Sequence, residues 1–217
     1  MLNPPIFISF YTGFSYYKNA ANDLINRITS FGGRIEVEKV NDSGKYWKNT
    51  LIKPQFILDK LNFYKEDLIW IDIDTDFLEY PDCMKKWESD ILAASHTGDI
   101  SGIKASPLGV RYNTRSLSFF ERFSEVCNRK IETNEIDMDH DVFKFEILPE
   151  FIGKISIEIL SCGGIPSDYT DGKFIKNGIS REINKGDQVR YVMNKNIGRD
   201  SSFKSLNLQN FTANGKL

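Results

Sequence analysis

The stretch Leu68-Ile69-Trp70-Ile71-Asp72-Ile73-Asp74-Thr75-Asp76 decides how this chain is read. Strand-forming apolar residues run up to three aspartates set at every second position. Alternation along a strand puts all three carboxylates on one face. Three like charges at a strand end repel one another and raise each other's pKa unless a cation sits among them. Mg²⁺ and Mn²⁺ favour oxygen ligands of this kind and commonly hold a substrate phosphate as well. The stretch therefore predicts a metal–phosphate site at the carboxyl edge of a buried sheet.

The segments before it support such a sheet. Residues 6–11 read as a buried strand, and residues 16–31 as a helix with Ala20, Ala21, Leu24, Ile25 and Ile28 on one face. Gly32 and Gly33 stop that helix, and residues 34–40 alternate as a second strand. A turn at residues 41–44 and a helix over 54–63, opened by Pro54, lead to the strand at 67–73. This order predicts a mainly parallel, twisted α/β sheet flanked by helices, whose ligands bind beyond the carboxyl ends of the strands. Further on, the pattern predicts a short helix after Pro81, strands at 91–95, 108–113 and 155–160, helices over 115–130 and 139–149, and a late strand near 189–193. With no repeat, low-complexity tract or linker, the expectation is one domain over 1–217, with a nucleotide-binding half (1–100), a sugar and acceptor half (101–200) and a polar tail (201–217).

A chain of 217 residues with 41% hydrophobic and 27% charged residues suits such a core. No apolar run reaches the roughly 18–20 residues of a membrane helix. The N-terminus has no signal-peptide pattern, and Cys83, Cys127 and Cys162 form no C-x-x-C, so a reduced cytoplasmic protein is expected. The net charge of −2 conceals an asymmetry: residues 59–99 hold eleven acids against four bases, and residues 173–217 nine bases against three acids. An anionic phosphate-bearing ligand between them would suit that split, as would two solvated faces of opposite sign. The absence of a Cys/His cluster disfavours zinc, and no dinucleotide or P-loop fingerprint occurs.

Two enzyme classes place an Asp-x-Asp after an apolar strand. Haloacid-dehalogenase-type phosphatases use the first Asp as nucleophile and the second as acid/base in Asp-x-Asp-x-Thr. Here position 76 is Asp, and the motif follows two strand–helix units instead of opening the chain. Nucleotide-sugar transferases use the pair, through a metal, to hold the donor diphosphate. The place of the motif in the chain favours the second class. A non-catalytic nucleotide-sugar-binding protein is a third reading.

From Phe10 to Asp82 the chain resembles the nucleotide-diphospho-sugar transferases of the GT-A fold. The likeness rests on Phe10-Tyr11-Thr12, Trp47-Lys48-Asn49, Lys53-Pro54-Gln55-Phe56-Ile57-Leu58 and Trp70-Ile71-Asp72-Ile73-Asp74. Downstream, Gly109 to Thr114 is similar to the family's sugar-facing strand, and Asp139-His140 stands where relatives often have Asp-Gln. The resemblance implies transfer of a sugar from a nucleoside diphosphate sugar to an acceptor hydroxyl, with Mn²⁺ or Mg²⁺ as cofactor. Asp72 and Asp74 would ligate the metal, with Asp76 in a supporting role. Tyr11 and Thr12 would cradle base and ribose, Lys53 and Arg181 would contact the diphosphate, and Asn113 would face the donor sugar. Asp139 or Asp141 would serve as acceptor base or oxocarbenium stabiliser. Where relatives carry a late metal-binding histidine this chain has Asn177, its two histidines being His96 and His140. The acceptor is a saccharide, a protein side chain or, given the basic end of the chain, a modified DNA base.

Overall fold

In the computed structural model, residues 4–13, 15–77, 80, 84–95, 99–160 and 175–176 are described. The first half runs β1 (Ile6–Tyr11), α1 (Ser15–Ser30), β2 (Arg34–Lys39), α2 (Tyr46–Leu51), α3 (Lys53–Tyr64), β3 (Leu68–Trp70) and β4 (Asp76–Phe77). The second runs β5 (Ile91–Ser95), β6 (Ile103–Val110), α4 (Thr114–Thr133), α5 (Asp139–Val142), a π-helical turn (Phe143–Ile147), α6 (Leu148–Glu150), β7 (Ile157–Ile159) and β8 (Ile175–Lys176). Six strands form one sheet in the order β2-β1-β3-β6-β5-β7, and β4 pairs with β8 in a separate two-stranded sheet. Within the six-stranded sheet β6 runs antiparallel to β3 and β5, while β1–β2, β1–β3 and β5–β7 pair in parallel; β4 and β8 are antiparallel. The expected mainly parallel α/β sheet is what the chain forms. Among the described residues no helix is long and apolar enough to cross a membrane.

Strand alternation distributes the side chains between two cores. Ile6, Ile8 and Phe10 of β1 and Leu68 and Trp70 of β3 pack with Ile57 and Leu61 of α3 and with Phe119, Phe120 and Phe123 of α4. Phe7, Ile69 and Ile71 face the other way, onto Ala21, Leu24 and Ile28 of α1. The helix-stopping glycines differ in role. Gly32 ends α1 at φ 74°, a left-handed conformation. At Gly33 a Cβ would lie 2.7 Å from the Ile28 side chain and 3.1 Å from its carbonyl, so a hydrogen is needed there.

The chain leaves β1 to β2 on one side and returns past β1 to β3 on the other. That reversal makes the carboxyl edge between β1 and β3 the topological switch point, where open α/β sheets bind ligands. Two predicted boundaries are corrected here. The strand expected over 67–73 ends at Trp70, and Thr75 N–H donates to the Asp72 carbonyl at 3.1 Å in a turn. Asp76 begins β4, a different strand, so alternation does not align the three aspartates. The strand expected at 108–113 starts earlier, at Ile103, and ends at Val110. The strand expected near 189–193 lies outside the described residues.

At the opposite edge of the sheet, Asp90 ties down two segments, the start of α4 and the residue before β7. Arg115 donates to both carboxylate oxygens, at 2.9 and 3.0 Å. Asn113 Nδ2 donates at 2.9 Å, and Ser156 donates through its N–H at 2.8 Å and its hydroxyl at 2.9 Å. Burial alone would raise the Asp90 pKa, but these donors outweigh it and hold the group at about 2. A folded value below the ordinary 3.8 gives stability that is complete above pH 4 and lost as pH falls through about 2. Asp90→Asn should therefore cost about 2 kcal/mol at pH 7. Urea titrations at pH 7, 4 and 2 should show the gap between the two proteins closing at the acid end. A gap that stays constant with pH would contradict this role.

Candidate functional site

The Asp72 segment leaves the switch point held on both sides. Ile71 N–H donates to the Ile8 carbonyl at 3.1 Å, and Asp72 N–H donates to Ser106 Oγ of β6 at 2.9 Å. The Trp70 indole N–H donates to Asp72 Oδ1 at 2.9 Å. Trp70 is itself wedged against Phe10 and Phe56, with ring centroids 5.1 and 5.9 Å away. The same Oδ1 lies 3.1 Å from Lys53 Nζ, while among the described residues Oδ2 takes no partner. The Asp72 side chain is 40% exposed, so that oxygen belongs to a group open to a ligand.

Lys53 is the unusual residue. It opens α3 beside Pro54 and is only 7% exposed, although lysines are seldom buried unpaired. A cation at a helix N-terminus also meets the positive end of the helix dipole. Two carboxylates offset both penalties. Asp139 Oδ2 lies 2.5 Å away, Asp72 completes the bridge, and the ammonium sits 5.2 Å over the Trp70 ring. Burial is the largest influence on Lys53 and works against its charge, yet the two aspartates together push its pKa up. Asp139, 4% exposed in the first turn of α5, is pushed up by burial despite the opposing pull of Lys53. Its contact to Lys53 is an ion pair without well-aligned hydrogen-bond geometry at Oδ2. The ammonium, held charged by both aspartates, opposes the protonation that burial favours at Asp139.

The predicted residues divide. Lys53, Asp72 and Asp139 come together, and Tyr11 and Thr12 stand where β1 ends, on the same sheet edge. Thr12 is buried, and Tyr11 packs partly buried against the α1 core. Asp74, two residues beyond Asp72, is half-buried. Asp141 does not join them: it is exposed on α5, where its charge is felt by Lys144. Asn113 is a second correction. Because β6 is antiparallel to β3, residue 113 emerges at the far end of the sheet, beside Asp67. That is roughly five residues, or about 16 Å, from Asp72 along the strand direction. Its side chain caps α4, accepting from Ser116 N–H at 3.0 Å while donating to Asp90. The β6 residue that does reach the site is Ser106, which no sequence signal marked. Asn177 and Arg181 lie outside the described residues, as does His96. β8, the last described piece before Asn177, pairs Lys176 with Asp76.

Among the described residues no three His, Cys, Asp or Glu converge as a ligand set. The donors that are present, Asp72 and Asp74, are hard oxygens at an open edge. They fit Mg²⁺ or Mn²⁺ sharing its remaining positions with phosphate and water, and not zinc.

No protein-family model matches the sequence. No curated protein matches it either. Among solved structures, the chain is similar to a glycosyltransferase involved in the glycosylation of the major capsid of PBCV-1, at TM-score 0.54 and 14% identity, over 73% of this chain and 86% of that one. It also aligns with the glycosyltransferase GlyE of Streptococcus pneumoniae TIGR4 at TM-score 0.48 and 11% identity, over 72% of this chain and 46% of that one. The chain thus spans less than half of GlyE. The first likeness shows that the chain shares the fold of that glycosyltransferase.

Proposed function

We propose that this chain is a metal-dependent glycosyltransferase of GT-A type, moving a sugar from a nucleoside diphosphate sugar to an acceptor hydroxyl. The observation that carries the proposal is the Lys53 bridge between Asp72 and Asp139 at the β1–β3 switch point. Asp72 and Asp74 would hold Mn²⁺ or Mg²⁺, whose positive charge stabilises a departing diphosphate. Ser106, Trp70 and Lys53 fix Asp72 through its N–H and Oδ1, which leaves Oδ2 for the ion. Tyr11 and Thr12 take the base and ribose. Asp139, an anion kept in place by Lys53, sits beside the transferred sugar and stabilises the positive charge that grows on its anomeric carbon. Asp141 is left outside this role. Asn177 and Arg181 would complete the ion and diphosphate contacts. The acceptor is a saccharide, a protein hydroxyl or a modified DNA base; in the last case activity falls steeply with salt.

A panel of nucleoside diphosphate sugars with Mn²⁺ tests the reading by release of nucleoside diphosphate. Turnover of one donor, stopped by chelation, is expected. Release of inorganic phosphate from a monoester, with no donor turned over, would favour phosphohydrolase chemistry instead.

A further inference from the structure

The loop that delivers Asp139 is clamped by a second buried lysine on another helix. Lys130, in the last turn of α4, has a side chain only 3% exposed. Its ammonium lies 2.6 Å from Glu135, 3.0 Å from Asp137 and 2.8 Å from Glu146. Glu135 and Asp137 belong to the connection between α4 and α5, and Glu146 to the π-helical turn after α5. One ammonium therefore grips the chain on both sides of Asp139. The grip reaches the α5 terminus directly, because Asp137 Oδ1 accepts from Met138 N–H at 2.8 Å. Met138 is the capping residue of α5, and its carbonyl accepts from Asp141 and Val142 N–H, both at 3.0 Å. No side chain caps α5 in the usual way, so these contacts stand in for a cap.

We infer that Lys130 is a positioning residue for Asp139, holding the start of α5 at the depth where that carboxylate meets Lys53. The inference rests on the transferase reading for its effect on rate, but its structural content does not. Three carboxylates gathered on one ammonium separate when the ammonium is removed, because their mutual repulsion is then uncompensated. Burial opposes the charge of Lys130 most strongly, and the three acids outweigh it. The Cys127 thiol, buried on α4 one turn before Lys130, is pushed up first by burial and then by Asp139, Asp137 and Glu146.

The test compares Lys130→Met, Lys130→Arg and Asp137→Asn in the full chain. With the donor that the wild type turns over, Lys130→Met should lower kcat roughly 100-fold at unchanged donor KM, the size of loss that a 1 Å misplacement gives. Lys130→Arg should restore most of it, since a guanidinium reaches the same carboxylates, and Asp137→Asn should fall between. Amide hydrogen exchange at Asp141 and Val142 should quicken in Lys130→Met and in Asp137→Asn, the latter serving alone if the former does not fold. Unchanged exchange at those two amides overturns the inference, as does a Lys130→Met loss in KM rather than kcat. If the wild type turns over no donor, the transferase reading fails while the exchange rates still decide the role of Lys130.

Discussion

Lys53→Met is expected to destabilise the chain by about 3–5 kcal/mol, read as a lower urea midpoint at pH 7. The methionine fills the same space and packs against Trp70, so lost volume does not explain the effect. What changes is Asp139. It is 4% exposed, and Lys53 is its neutralising partner at 2.5 Å. Without the ammonium an ionised carboxylate would be buried uncompensated, which is the costly way to break a buried pair. The pH dependence identifies the cause. In the variant Asp139 would take up a proton more readily when folded than when unfolded, because burial already pushes it up. A raised folded pKa makes stability greatest at low pH and reduces it as pH rises through that value. The deficit of Lys53→Met should therefore shrink as the solution is acidified. A deficit that is small at pH 7, or independent of pH, would show that the Lys53–Asp139 contact is not an ion pair.

Asp72→Asn is expected to behave in the opposite manner, with little lost in stability and most of the turnover removed. Its side chain is 40% exposed, and Lys53 keeps Asp139 when the charge at 72 is gone. The amide still accepts from Trp70, but it binds a divalent ion more weakly than a carboxylate does. A metal contribution of several kcal/mol to transition-state charge corresponds to a fall in kcat on the order of 10²–10³-fold. Excess Mn²⁺ should recover part of it. An Asp72→Asn protein with near wild-type turnover would remove this aspartate from the site.

The fold was readable because its first half is locally consistent. The apolar run at 6–11, the helix face at Ala20, Ala21, Leu24, Ile25 and Ile28, and Gly32-Gly33 each point to the element that forms. The errors share a cause, which is pairing across distant strands. Alternation suggested a strand over 67–73 with Asp72, Asp74 and Asp76 on one face, but the strand ends at Trp70, where Asp72 N–H donates to Ser106 and Thr75 N–H donates back to the Asp72 carbonyl in a turn. The direction of β6 is not written in its sequence, and that direction alone sends Asn113 to the Asp90 edge and brings Ser106 to Asp72. Asp139 and Asp141 look alike in an acidic run, and only the packing of α5 buries the first and exposes the second. The burial of Lys53 and Lys130 was equally hidden, since a lysine in a helix reads as a solvated charge until its partners are assembled.

The most direct test of the account is a thermal-shift titration with nucleoside diphosphate sugars, with and without Mn²⁺, on the wild type and Asp74→Ala. A ligand at 100 times its dissociation constant stabilises the folded state by about 2.7 kcal/mol, a shift of roughly 5–11 °C for a chain of this size. One donor should raise the midpoint in this way only when Mn²⁺ is present, and Asp74→Ala should abolish the rise. No response to any donor, or an equal response without metal, would contradict the account.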